Sequence, residues 1–237
     1  MRNLLYFLFC CALFCSCKKQ SDRDCQLTSV QSGDISPTIT TYEYDQQGRI
    51  IKVTVTSVPI SLTYYSDSIV VDNASWIITY NIASSGLATT SKIRFLFPNP
   101  NQMTSEDNYT YDAEGYLIQA RNISSQLVNG ITIRDTFNAR FTIQNGNITE
   151  YWSNNVKTGA YEYTNLIAKE NMAFTTHPIY QWPFLGRFSK NLMSSMTSSS
   201  GPSNFEYEFD DEKNIIKRKE FKGLPGPAIS YYNYLCD

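Results

Sequence analysis

One short unit recurs along this chain and restricts its fold more than any other feature. Tyr42-Glu43-Tyr44-Asp45-Gln46-Gln47-Gly48-Arg49-Ile50-Ile51-Lys52 is echoed by Tyr109-Thr110-Tyr111-Asp112-Ala113-Glu114-Gly115-Tyr116-Leu117-Ile118-Gln119. A third copy runs Tyr207-Glu208-Phe209-Asp210-Asp211-Glu212-Lys213-Asn214-Ile215-Ile216-Lys217. Each reads as an aromatic strand, a polar turn opened by Asp, and an aliphatic strand leaving it. Period-two alternation puts Tyr42 and Tyr44 on one face, and Tyr109 and Tyr111 likewise. An Asp at the first turn position can accept backbone amides, and Gly48 or Gly115 supplies the positive φ of a short hairpin loop. Lys213 stands where the glycine should be, so that turn differs or shifts its positive φ to Asn214.

Looser relatives fill the gaps between copies. Residues 80–87 carry Ser-Ser-Gly at their turn, and residues 141–148 hold the hairpin pair Asn145-Gly146. Tyr161-Glu162-Tyr163 opens another aromatic strand, and residues 229–234 form a last one. Strand-like runs lie at 51–58, 61–65, 68–71, 92–97 and 132–137, and no stretch sustains a 3.6-residue period. Residues 181–204, rich in Ser, Pro and Gly, read as a long excursion with a helical turn near 190–196. The expected fold is all-β, an antiparallel meander of sequential hairpins forming a curved open sheet or a partly closed barrel. Stacked units of this kind need several neighbours to bury a continuous core.

The first sixteen residues read as a processing signal. Arg2 gives a positive start, and residues 4–14 form an apolar run far short of the roughly 20 residues that span a bilayer as a helix. Ser16 then precedes Cys17, and the chain turns polar with Lys18, Lys19 and Gln20. This is the pattern of a lipoprotein signal cleaved before a cysteine that carries acyl chains. Phe14 and Cys15 depart from the usual aliphatic and small residues, and cleavage as an ordinary secretory signal is the alternative. The expected organisation is a signal at 1–16, a lipidated polar tether at 17–24 and a single β-rich domain at 25–237.

Of six cysteines, Cys10, Cys11 and Cys15 leave with the signal and Cys17 takes the lipid. Cys25 and Cys236 remain, one near each end of the folded part. In an oxidising compartment they form a disulfide, or else stay as two free thiols. Without the signal, the 20 basic residues lose Arg2 and become 19 against 22 acidic ones, about −3. Nothing in that balance favours nucleic acid.

The Tyr-x-Tyr-Asp-x-x-Gly-x-Ile/Leu units resemble the YD repeats of RHS-type proteins. With the cysteine signal, Asn145-Gly146-Asn147, Ser189-Lys190-Asn191-Leu192 and the terminal Tyr232-Asn233-Tyr234, they are similar to uncharacterised Bacteroidetes cell-envelope lipoproteins. The resemblance covers most of residues 25–237 and implies an envelope location and a β-rich domain. It brings no catalytic residues. Large RHS proteins enclose a cargo, but this chain is too short for such a shell.

Familiar catalytic arrangements are missing from the sequence. His177 is the one histidine, which excludes any site built from two, and no Gly-x-Ser-x-Gly elbow or glycine-rich nucleotide loop is present. Asp45, Asp112 and Asp210 recur at equivalent turn positions, which argues that they serve the turns. Asp210, Asp211 and Glu212 cluster without calcium-loop spacing. No catalytic residue, metal or cofactor is expected.

Aromatic residues make up 14% of the chain, with seventeen tyrosines. Exposed Tyr and Trp stack on sugars and anchor protein contacts. Tyr64, Tyr65, Tyr151, Trp152, Tyr180 and Trp182 are the ligand-binding candidates, with Tyr161 and Tyr163 beside them, against the alternative that most form the core. Alternation sends one member of each adjacent pair outwards. Asp67-Ser68-Ile69 resembles a short O-glycosylation signal, with Ser68 as acceptor. The expectation is a monomeric, non-enzymatic envelope lipoprotein, held in the outer membrane by its lipid, that binds a glycan or protein. A structural envelope component and a carboxylate-dependent glycoside hydrolase are the alternatives.

Overall fold

The computed structural model describes residues 25–33, 37–96, 103–128, 130–169, 182–223 and 226–236. Sixteen strands run in chain order among them. They are β1 Cys25–Ser32, β2 Thr38–Tyr44, β3 Ile50–Val55, β4 Val58–Tyr64, β5 Ser68–Asp72, β6 Trp76–Ile82, β7 Ala88–Phe95 and β8 Thr104–Tyr111. The second half continues with β9 Leu117–Val128, β10 Ile131–Gln144, β11 Asn147–Ser153, β12 Val156–Ile167, β13 Asn191–Ser198, β14 Gly201–Phe209, β15 Ile215–Phe221 and β16 Ala228–Cys236. Each pairs antiparallel with its sequence neighbours, and β16 returns to pair with β1. The meander therefore closes into a barrel, the second of the two expected forms. Closure removes the open sheet edge on which other chains can add a strand.

Among the described residues the even-to-odd connections lie at one end of the barrel, together with Cys25 and Cys236. These two residues face each other in register and are joined by a disulfide, with Cα atoms 4.1 Å apart. We call this the disulfide end. Here each odd strand brings one aliphatic side chain inward within its first three residues: Leu27, Ile50, Ile69, Ala88, Leu117, Ile148, Leu192 and Ile215. All eight are buried. This ring is the sequence's aliphatic half-repeat seen in three dimensions, and each fully buried Leu or Ile contributes about 1.5–3 kcal/mol.

The repeated turns fold alike. Asp45, Asp112 and Asp210 each donate a backbone amide to a carbonyl four residues on, those of Arg49, Tyr116 and Asn214. The Asp45 carboxylate accepts the amides of Gln47 and Arg49, Asp112 those of Glu114 and Tyr116, and Asp210 that of Asn214. Ala83 occupies the same position in a fourth turn that keeps the backbone bonds to Leu87 and Gly86. In the Asp210 turn the positive φ stays on Lys213, at 62°, and does not shift to Asn214. The Asp210 carboxylate instead holds Asn214 through both its amide and its side chain, and Asn214 is fully buried.

Two sequence expectations need correction. Residues 190–196 are not helical: β13 spans Asn191–Ser198, hydrogen-bonded to β12 on one side and β14 on the other. Two waiting strand edges outweigh the helix propensity of Leu192, Met193 and Met196. The excursion expected at 181–204 is accordingly shorter, since β13 and the start of β14 lie within it. The run at 51–58 is also not one strand. Thr56 and Ser57 both adopt positive φ and turn the chain between β3 and β4.

Candidate functional site

A bulge follows the start of several odd strands and interrupts the ladder locally. Five of the extra residues are Thr28, Ile51, Thr89, Thr149 and Ser194, as the register shifts between β1 and β16, β2 and β3, β6 and β7, β10 and β11, and β12 and β13 require. The carbonyl just before each of these five accepts a tyrosine hydroxyl. Tyr44 donates to Leu27, Tyr64 to Ile50, Tyr111 to Ala88, Tyr163 to Ile148 and Tyr207 to Met193, at 2.6–2.9 Å. Each tyrosine sits on the even strand that follows the bulged one. Burial pushes the phenols up, to about 12 for Tyr44 and Tyr163. Much of the tyrosine content thus serves the wall of the barrel.

The disulfide end carries a plug. Pro183–Leu185 forms a 3₁₀ turn, with Trp182, Phe184 and Leu185 buried in the lumen. Phe184 meets Tyr80 edge-on at 4.8 Å, and Trp182 stacks on Phe184 at 6.2 Å. Gly186 lies against the second Tyr-Asp turn. A Cβ there would come within 3.1 Å of the Leu117 nitrogen and 3.2 Å of the Gly115 carbonyl oxygen, and its φ of 118° suits glycine. The chain beyond is then pinned across two turns, with the Arg187 amide donating to Gly115 and the Lys190 amide to Gly146.

Between this plug and the turns opens a cleft of about 1400 Å³. Its lining includes Tyr44, Tyr64, Tyr65, Tyr116, Phe184 and Phe188. Tyr65 is 61% exposed and offers a free ring face at the rim. Tyr64 is already engaged, with the Arg49 guanidinium 4.3 Å above its ring and its hydroxyl on Ile50. Four cations also line the cleft: Arg49, Lys169, Arg187 and Lys190.

The other sequence candidates do not converge there. Tyr151 faces the lumen and stacks on Phe141 at 5.5 Å, whereas its neighbour Trp152 lies on the outer wall. Trp152 donates to Glu150 and lies beneath Arg140 at 5.2 Å. Lys157, then Thr142 and Trp152, hold the Glu150 carboxyl below its usual range by hydrogen bonding. Trp182 belongs to the plug, and Tyr161 and Tyr163 pack in the core. Ser68 opens β5, with its hydroxyl donating to Asp67. Cys17, His177 and Tyr180 lie outside the described residues. No group of three or more His, Cys, Asp or Glu side chains gathers as a metal site among the described residues. The cleft's cations were missed in the sequence because they come from positions 49, 169, 187 and 190, which no local pattern connects.

The Teneurin YD-shell family model matches residues 16–129, in keeping with the repeats. No curated protein is similar in sequence. Among the solved structures that share the fold are two described as porin-like proteins. The one from Bacteroides uniformis is 16% identical with a TM-score of 0.62, over 88% of this chain and 95% of its own. The one from Bacteroides vulgatus is also 16% identical, with a TM-score of 0.64, over 90% and 99%.

Proposed function

We propose that this protein is a non-enzymatic binding module of the bacterial cell envelope, anchored through a lipid on Cys17, which takes a glycan in the cleft at its disulfide end. The observation that carries this reading is the cleft itself, a preformed concavity with an aromatic lining and the exposed Tyr65 at its rim. The porin-like description of the two solved neighbours supports an envelope location.

It does not extend to a pore. A membrane-spanning barrel turns an apolar band to lipid and a polar surface to its lumen. Towards the disulfide end the pattern is inverted. The aliphatic ring and the five tyrosines bonded to bulge carbonyls point inward, and the outer wall carries the pairs Lys52–Glu43, Lys92–Glu106 and Lys157–Glu150. Glu208 adds Lys217 and Lys219 further round. Charges of this kind cost roughly 2–4 kcal/mol for each Lys or Arg at the bilayer midplane. A water-facing barrel on a lipid tether fits this wall.

Eight peptide steps separate Cys17 from Cys25, which lines the cleft. Fully extended they reach roughly 26–29 Å, so on this reading the cleft lies on the membrane-proximal side. The test is a glycan array and an envelope pull-down with the disulfide-bonded domain, alongside Tyr65→Ala. The expected result is binding that weakens in the variant. An empty array with an empty pull-down would sink the binding reading.

A further inference from the structure

The cleft's charge goes beyond what a neutral sugar site needs. We propose that it selects saccharides bearing phosphate or carboxylate groups, an inference that rests on the binding reading above. Among its described lining residues are four cations and no Asp or Glu, in a chain whose net charge is −2. Lys169 is half-buried, and Arg49, Arg187 and Lys190 are exposed side chains on backbone that the turns fix.

Lys169 is held by two neutral oxygens, the Glu212 carbonyl and the Asn214 side-chain amide, so its charge is oriented without being cancelled. Arg187 and Lys190 are rooted by their backbone amides on the Gly115 and Gly146 carbonyls, and neither forms an ion pair among the described residues. Asp112 and Glu114 share a smaller depression with them. The Asp112 carboxylate accepts the amides of its own turn and keeps its negative charge, but neither it nor the exposed Glu114 pairs with Arg187 or Lys190 within ion-pair distance. Arg49 alone is neutralised, by Asp45 at 2.7 Å, and it covers Tyr64 as a positioning residue. Three cations that form no ion pair among the described residues, beside an exposed tyrosine ring, suit a sugar that offers both a stacking face and an anion.

The test is calorimetric titration of the full disulfide-bonded domain with trigalacturonate and with its neutral methyl ester. In parallel, the domain is co-sedimented with phosphatidylcholine vesicles containing or lacking lipid A, whose headgroup is a phosphorylated disaccharide. The variants are Arg187→Gln/Lys190→Gln, with Lys92→Gln on the outer wall as control. Binding is expected for at least one acidic probe, weaker in raised salt, and reduced about tenfold or more in the double variant with the control unchanged. The soluble and vesicle arms separate a free acidic saccharide from a lipid headgroup.

Equal affinity for the acidic and esterified trisaccharides, without lipid A binding, overturns the charge selectivity and leaves glycan binding standing. So does full binding by a double variant whose far-ultraviolet spectrum is native. Absence of binding to every acidic probe, when neutral glycans bind on the array, overturns this proposal alone; an empty array and pull-down remove both.

Discussion

The Tyr111 hydroxyl donates to the Ala88 carbonyl, 23 residues earlier, at 2.8 Å. That carbonyl precedes the bulge at Thr89, where the ladder is interrupted, and the hydroxyl supplies it with a partner. Tyr111→Phe keeps the ring and strips the bond, leaving a buried acceptor unsatisfied. The expected loss is about 1–3 kcal/mol in denaturant unfolding, with the fold retained. A change within error would show that water satisfies the carbonyl equally well.

The turns make the opposite kind of prediction. Ala83 sits where Asp45 and Asp112 collect two amides each, in a turn with the same backbone bonds. Ala83→Asp supplies the missing acceptor and is expected to stabilise by about 1 kcal/mol. Thermal and denaturant midpoints should both rise. A fall would mean that Ser85 and Leu87 do not present their amides as the other turns do.

These two features also mark what could be read before the fold was known. Asp at the turn and Gly three residues later are local chemistry, and Asp45, Asp112 and their glycines do what their residue types predict. The tyrosines could be assigned to strands but not to their partners. Tyr44 finds its acceptor 17 residues away and Tyr64 finds its own 14 away, distances set by strand length and bulge. Residues 190–196 misled for a related reason: a Leu- and Met-bearing segment becomes a strand when both flanking edges are open to it. Lys213 shows the limit of turn rules, since the buried Asn214 side chain fixes that turn.

Buried phenols set an alkaline limit. Burial, then the neighbouring Tyr232, raises Tyr42 to about 12, and burial followed by Tyr151 raises Tyr161 to about 12. The unfolded value is about 10. Between these values the folded state holds protons that the unfolded state releases, so stability is full below pH 10 and falls as pH rises towards 12. Circular dichroism and the phenolate absorbance of the buried tyrosines, followed together, should change in one cooperative step. Smooth ionisation near pH 10 with the spectrum intact would contradict the burial.

Removing the disulfide should cost more than any single substitution. Cys25 and Cys236 are 211 residues apart, a loop for which chain entropy gives about 5 kcal/mol as an upper figure. Cys25→Ser/Cys236→Ser is expected to lower the denaturant midpoint markedly while β1 and β16 remain paired. Unchanged stability would show that the backbone ladder alone holds the seam.

That seam also governs how the molecule bears load. A pull applied ahead of Cys25 passes straight through the sulfurs into β16 as well as β1. Two strands take up the force along their length, in shear, and neither can be unzipped from a loose end. Mechanically the barrel is a hoop with a clasp, and whatever tugs on its tether meets the clasp first.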